Sequence, residues 1–330
     1  MIFFAADLAE PLQTVVALVE RYPRRAAKQA RRMLASAAAA ERPAVAWAHL
    51  ADAWVMLRRD RVAEALMPLE RAERLFGESG MPIAVLHCRF VRLMVTMAQG
   101  RAGQCQEAWL DLAGAYRQAG HVQAAAVAQL EYIACLNALG ATQTIPELLE
   151  RWRADFEQLA PVGQARRWRI AAVTHGLLGD IPTALAEIER SIEYYQVAGE
   201  PLNAARSRLE RAWLWFRYEQ YAAADQELTT LQAFFKRVDL PLQLAFAERT
   251  GGFVANRLGR YNQALALAVS ARERFATFGR SGDVADCEME IGNVAFYSGL
   301  RPIAMAAYRL AEGHYNAIGS DRLRLISLRN

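Results

Sequence analysis

The sequence has almost no lysine. Lys28 and Lys236 are the only two, and arginine carries the rest of the positive charge. The net charge is +4 over 330 residues, too little for a whole-molecule attraction to nucleic acid, which is not expected as a partner. Cysteine is scarce as well: Cys88, Cys105, Cys135 and Cys287 include no C-x-x-C pair. A chain of this length needs no disulfide staples, so the reading is reduced thiols in a cytoplasmic protein. No apolar run approaches the 18 or more residues of a membrane span, so no membrane is expected. The opening MIFFAADLAEPL lacks a basic start and is interrupted by Asp7 and Glu10, which argues against a signal peptide. HExxH, GxSxG, a P-loop and a glycine-rich dinucleotide turn are all absent. His49, His87, His121, His175 and His314 do not cluster, and the neighbours His87 and Cys88 would point about 100° apart on a helix. The expectation is a protein that is not an enzyme and holds no metal or cofactor.

What the sequence does have is a period. A turn residue recurs at Glu20, Asp60, Gly100, Gly140, Gly179, Glu219, Gly259 and Gly299, at steps of 40 with one of 39. A second series sets an aromatic four residues before a small or polar one: Phe76/Gly80, Tyr116/Gly120, Phe156/Ala160, Tyr195/Gly199, Phe235/Asp239, Phe275/Gly279 and Tyr315/Gly319. The first unit departs, with Ser36/Ala40 in place of an aromatic pair. Both series place a one-residue deletion between Phe156 and Gly179. Repetition at this period means an array of supersecondary units, each burying its apolar face on its neighbours. Apolar residues recur at helical spacing between the turns, so each unit reads as two helices. Pro43, Pro82, Pro161, Pro201 and Pro241 fall at starts of first helices, and Pro23, Pro182 and Pro302 in the first turn of second helices, where a missing N–H costs nothing. Pro11 and Pro68 fall inside expected helices and predict a kink or a shifted boundary. First helices are expected near 2–19, 43–58, 82–98, 121–138, 163–177, 201–218, 241–258 and 281–298. Second helices are expected near 23–38, 62–77, 102–118, 144–159, 182–197, 221–237, 261–277 and 301–317. With no linker-like stretch, residues 1–330 read as one domain. Residues 320–330, with Leu323, Leu325, Ile326 and Leu328, read as a capping helix or a truncated continuation of the array.

The pattern resembles the tetratricopeptide repeat (TPR) family over nearly the whole chain. Small residues stand at that family's two close-packing positions: Ala53, Ala172, Ala212, Gly252 and Gly292 in first helices, and Ala65, Cys105, Ala184, Ala224, Ala264 and Ala304 after the turn. Gln13, Leu93 and Ile133 depart at the first position, Arg25 and Ile145 at the second, and bulky Ile145 implies a wider fourth hairpin. The resemblance implies an all-α fold, a right-handed α-solenoid of about eight TPR-like hairpins. The 40-residue spacing resembles the N-terminal arrays of bacterial multidomain proteins, among them CHAT-domain proteases and large repeat-containing transcription regulators.

In that family first helices line a concave groove. Projected onto this sequence, the groove-facing residues are Trp47 and Trp54; Phe90 and Met94; Arg166 and Arg169; Trp213, Phe216 and Arg217; Phe246, Arg249, Phe253, Asn256 and Arg257; and Asn293, Phe296 and Tyr297. Their spacing puts each set on one helical stripe. Stripes of aromatics alone would read as core, but arginine interleaved with aromatics is the composition of binding hot spots. The expected partner is a protein or peptide segment with apolar anchors and acidic groups. The family's clamp for C-terminal carboxylates is not expected: Asn293 fits one of its places, but its lysines are missing. The run Arg166-Arg167-Trp168-Arg169 reads either as a solvated face with Trp168 turned inward or as an anion or nucleic-acid contact with Trp168 available for stacking. The expected function is a non-enzymatic protein-interaction module. Alternatives are a sensor or autoinhibitory part regulating an effector such as a CHAT-type protease, and a scaffold that self-associates into a homo-oligomer through its C-terminal end.

Overall fold

The computed structural model of the chain describes residues 42–317 continuously, preceded by 23–37 and by Val15, Leu18 and Val19. Pro11, the turn at Glu20, the Ala40 marker, Gly319 and the tail 320–330 lie outside the described residues. Among the described residues there are sixteen α-helices, two short 3-10 turns and no strand. The helices are α1 (Pro23–Ala37), α2 (Arg42–Arg58), α3 (Leu66–Glu78), α4 (Pro82–Ala98), α5 (Gln106–Gln118), α6 (Val122–Leu139), α7 (Ile145–Arg151), α8 (Arg153–Glu157), α9 (Pro161–Leu178), α10 (Ile181–Val197), α11 (Pro201–Arg217), α12 (Tyr221–Val238), α13 (Pro241–Arg257), α14 (Tyr261–Thr277), α15 (Ser281–Tyr297) and α16 (Arg301–Ala317). Consecutive helices pack as hairpins, an all-α helical solenoid. By its internal contacts the chain forms two compact units, Met1–Ser207 and Arg208–Asn330, with the boundary inside α11.

Both turn series are set by one local device. Gly80, Gly100, Gly120, Gly140, Gly179, Gly199, Gly259, Gly279 and Gly299 all have positive φ, and so do Asp60, Glu219 and Asp239 at φ 59–62°. A left-handed residue just past a helix end lets the next N–H reach back to orphaned carbonyls. The aromatic marker supplies such a carbonyl: the N–H groups of Met81, His121, Glu200, Leu240 and Arg280 donate to the carbonyls of Phe76, Tyr116, Tyr195, Phe235 and Phe275. All seven marker aromatics are buried, at 0–3% exposure. Ala160 is the exception, extended at φ −56°, ψ 158°. It sits in the shortened unit and precedes Pro161, which disfavours a helical conformation there.

The expected second helices are altered in three units. In the second, a 3-10 turn over Ala63–Ala65 precedes α3, so Pro68 falls in the first helical turn. That is the shifted boundary a proline demands. In the third, Ala102–Gln104 is 3-10 before α5 starts. In the fourth, the helix breaks at Trp152 into α7 and α8, and the Trp152 ring lies edge-on to Tyr132 and Phe156, 6.2 and 6.3 Å away. Helix α6 is apolar enough over its 18 residues to cross a membrane by length and composition, unlike the sequence expectation of no such run. Two-thirds of it is buried in the protein, where it is the central helix of a core spanning α4 to α9.

Small residues let the hairpins close. Ala53, Ala65, Ala172, Ala184, Ala212, Ala224 and Ala264 are fully buried. A Cβ on Gly252 would sit 3.4 Å from the Ala264 carbonyl oxygen, whereas one on Gly292 would collide with the Tyr308 ring. Polar contacts then tie neighbouring first helices. In the first unit Arg166 pairs with buried Glu131 through two bonds of 2.8 and 2.6 Å, and Asn137 bonds Thr174 and the Ile170 carbonyl. In the second, Arg249 on α13 donates to Asp283 and Asp286 on α15, at 2.5 and 3.0 Å, and Tyr315 donates to Asp286 at 2.8 Å. Glu290, 5% exposed, accepts from Asn256 at 2.7 Å and Asn293 at 3.4 Å. Burial raises the Glu290 carboxyl to about 7, against the pull of the two amides and Arg257.

Three outcomes are expected from these contacts. Gly292→Ala lowers stability by about 1–2 kcal/mol, because overpacking against Tyr308 outweighs the gain in helix propensity. Gly252→Ala is neutral or stabilising, and urea denaturation of both checks the contrast. Arg249→Met leaves Asp286 without its guanidinium, while Arg280 still pairs with Asp283, and costs about 2–3 kcal/mol; this is below the cost of breaking a fully buried pair, because the Asp286 side chain keeps 37% of its surface exposed. Glu290 binds its proton more tightly folded than unfolded, so its contribution to stability falls as pH rises from about 4.5 to about 7. Glu290→Gln should remove that fall, matching the wild type at pH 4 and exceeding it at pH 8 in denaturation midpoint.

Candidate functional site

The first helices repeat the same positions from unit to unit, so residues 40 apart present the same face. In the second unit this register aligns Trp213, Phe253 and Asn293, then Phe216, Asn256 and Phe296, then Arg217, Arg257 and Tyr297. The structure brings part of this set together. The Trp213 and Phe216 rings stack at 5.3 Å between centroids, and Phe253 lies 6.0 and 5.9 Å from them. Tyr221, at the start of α12, joins at 5.9 Å from Phe216. All four rings are only half-buried. The aromatics that close the hairpins are buried completely, so this cluster is additional to the closure device. Arg217 and Arg257 stand exposed one turn beyond Trp213 and Phe253 on the same helix faces. Phe296 and Tyr297 keep 53% and 61% of their surface exposed, with their rings 5.8 Å apart.

Other residues expected in the groove have structural partners instead. Trp47, Trp54 and Phe90 are buried, at 8%, 6% and 2% exposure. Trp47 packs edge-on against Phe76 at 4.7 Å, and Phe90 against Trp109 at 5.1 Å. In these units the second helix comes close enough to cover the first helix's aromatic stripe, so these side chains present little surface to a partner. Met94 is half-buried between two core clusters of the first unit. Arg166 is held by Glu131, Arg249 by Asp283 and Asp286, Asn256 by Glu290, and Asn293 by Glu290 and Tyr308. Phe246 lies edge-on to Phe275 at 5.0 Å, with the Arg249 and Arg280 guanidinium groups over its ring at 5.3 and 5.2 Å. Arg169 is half-buried on α9.

The one His/Cys neighbour pair is built into the core, with both side chains fully buried. His87 Nδ1 is 2.9 Å from the Tyr116 hydroxyl in a buried setting, and burial pushes the Cys88 thiol up to about 12. A thiol that far from its thiolate is a poor nucleophile. Tyr221 belongs to the aromatic cluster although it lies on a second helix, outside the first-helix stripes. The Trp168 ring is half-buried and flanked by the guanidinium groups of Arg167 and Arg190, at 5.0 and 4.7 Å.

No family model matches the sequence, and no curated protein sequence is significantly similar to it. Solved structures are similar in fold. NprR in complex with its cognate peptide NprX matches at a TM-score of 0.57 and 13% identity, over 98% of this chain and 96% of that one. A Rap protein complexed with competence and sporulation factor matches at 0.56 and 12%, over 98% and 96%. A signal transduction ATPase with numerous domains carrying a tetratricopeptide repeat sensor, from Pyrococcus horikoshii, matches at 0.57 and 11%, over 98% of this chain and 53% of that one. At such identities the likeness is one of fold: this chain has an all-α helical-repeat fold of the tetratricopeptide type.

Proposed function

We propose that the chain is a non-enzymatic interaction module that takes a protein or peptide segment on the first-helix face of its second unit. The observation that carries this reading is the cluster of Trp213, Phe216, Phe253 and Tyr221. The Trp213, Phe216 and Phe253 rings lie within about 6 Å of one another, Tyr221 joins through Phe216, and all four remain half-exposed. Rigid aromatics in a half-open patch lose little entropy on binding, and they dominate interface energetics where a partner completes their burial. Arg257 and Arg217 add two guanidinium groups in register, suited to carboxylates of the bound segment. The segment is therefore one with an apolar anchor beside Asp or Glu. Two of the similar structures are complexes with a peptide or a factor, which supports a peptide-like partner. The third is a signal transduction ATPase that carries a tetratricopeptide repeat sensor, which supports a regulatory role for the binding event.

Selection from a random peptide display library on the full chain tests this reading. Enriched sequences should carry an aromatic or branched apolar residue flanked by acidic ones. Trp213→Ala with Phe253→Ala should weaken the enriched peptides by at least a hundredfold, at about 2 kcal/mol per anchor. Arg257→Glu should weaken them about tenfold and flatten the salt dependence. Circular dichroism shows whether the variants stay helical. Equal binding by wild type and a folded double variant removes the proposal.

A further inference from the structure

A cavity of about 260 Å³ lies in the first unit, between α7, α8, α9 and α10, and is lined by Pro146, Leu149, Glu150, Arg153, Arg167, Trp168, Ala171, His175 and Glu187. Its lining carries two carboxylates and two guanidinium groups. Glu150 is paired with Arg153, and Glu187 is hydrogen-bonded to His175 Nδ1 at 2.7 Å. Arg167 is half-buried and, among the described residues, makes no ion pair. Its guanidinium lies over the Trp168 ring at 5.0 Å, and that of Arg190 lies over the same ring at 4.7 Å. Burial depresses the Arg167 pKa even though Glu157, Glu187 and Glu150 act against it. A guanidinium stacked on an indole has already lost much of its rotational freedom, so an incoming anion meets a donor fork that is largely in place. The remaining wall is apolar: Pro146, Leu149 and Ala171 around the Trp168 ring.

We propose that this cavity is a binding site for a small carboxylate with a flat apolar body. Arg167 takes the carboxylate, and Trp168, Leu149 and Ala171 enclose the body. The two carboxylates of the lining, held by Arg153 and His175, disfavour a second negative charge on the ligand. The volume restricts the ligand to about the size of one or two fused rings, since it is smaller than the roughly 300 Å³ at which pockets for drug-sized ligands begin. The site lies wholly within the first unit and shares no residue with the aromatic cluster of the second. It therefore stands or falls apart from the peptide-binding reading.

Isothermal titration of the full chain with benzoate, phenylacetate and indole-3-carboxylate tests the site, with benzamide as the neutral counterpart of benzoate and inorganic phosphate as a bare anion. Saturable binding of at least one carboxylate below 10 mM is expected, at least tenfold tighter than benzamide and than phosphate. Arg167→Gln should weaken that carboxylate at least tenfold, and Arg167→Lys should weaken it less. Trp168→Leu should also weaken it, by releasing the guanidinium. Thermal melts establish that each variant is folded, and the Lys variant serves if the Gln variant is not. No saturable carboxylate binding, equal affinity for benzoate and benzamide, or affinity unchanged in a folded Arg167 variant would each overturn the proposal.

Discussion

Each hairpin depends on a closure at its outer end in which one aromatic ring and one turn act together. The ring is buried, its carbonyl accepts the N–H five residues on, and the residue between them with positive φ makes that reach possible. This fixes where a helix stops and the direction in which the next one leaves. A solenoid transmits such local decisions, because every unit is positioned by the one before it. The constraint is strong enough to hold Asp239 in the left-handed region, where glycine would be less costly, and the inner turns do the same at Asp60 and Glu219 without a marker aromatic. Where the chain is one residue short, at Ala160, the device is replaced by an extended residue before proline.

With closure assigned to the marker aromatics, the other aromatics fall into two groups. Those of the first described hairpins, such as Trp47 and Phe90, complete the core. Those of α11 and α13, such as Trp213 and Phe253, pack on one another and are left half-covered. The arginines divide in the same way. Arg166 neutralises buried Glu131, and Arg249 the half-buried Asp283 and Asp286, between adjacent first helices, and both thereby hold the repeat spacing. Arg257 and Arg217 extend to solvent at the helix ends. Alternation of aromatic and arginine thus has two outcomes in one chain, packed between helices or exposed at helix ends, and composition does not separate them.

Much of the fold was legible because its signals are local. Turn residues, prolines and the marker aromatics act within five or six residues of their own positions, so their period could be read directly. The altered second helices were legible only in part. Pro68 announced a shifted boundary, but nothing in the local pattern marked the break at Trp152, which follows from packing on Tyr132 and Phe156. The candidate site was legible as a set of stripes and not as a surface. Helical spacing shows that Trp54 and Trp213 lie at equivalent positions, yet one is buried and the other half-exposed.

The amino-acid sequence by itself determined the hairpin repeat, its 40-residue step and the residues that end each helix, because these rest on backbone sterics and short-range hydrogen bonds. Only the tertiary structure decided which aromatics remain exposed, which arginines are held by carboxylates 34–37 residues away, and that Arg167 and Trp168 meet α7, α8 and α10 around a cavity. Those outcomes depend on which neighbour covers a given face. A periodic sequence offers several equivalent neighbours, and packing selects among them.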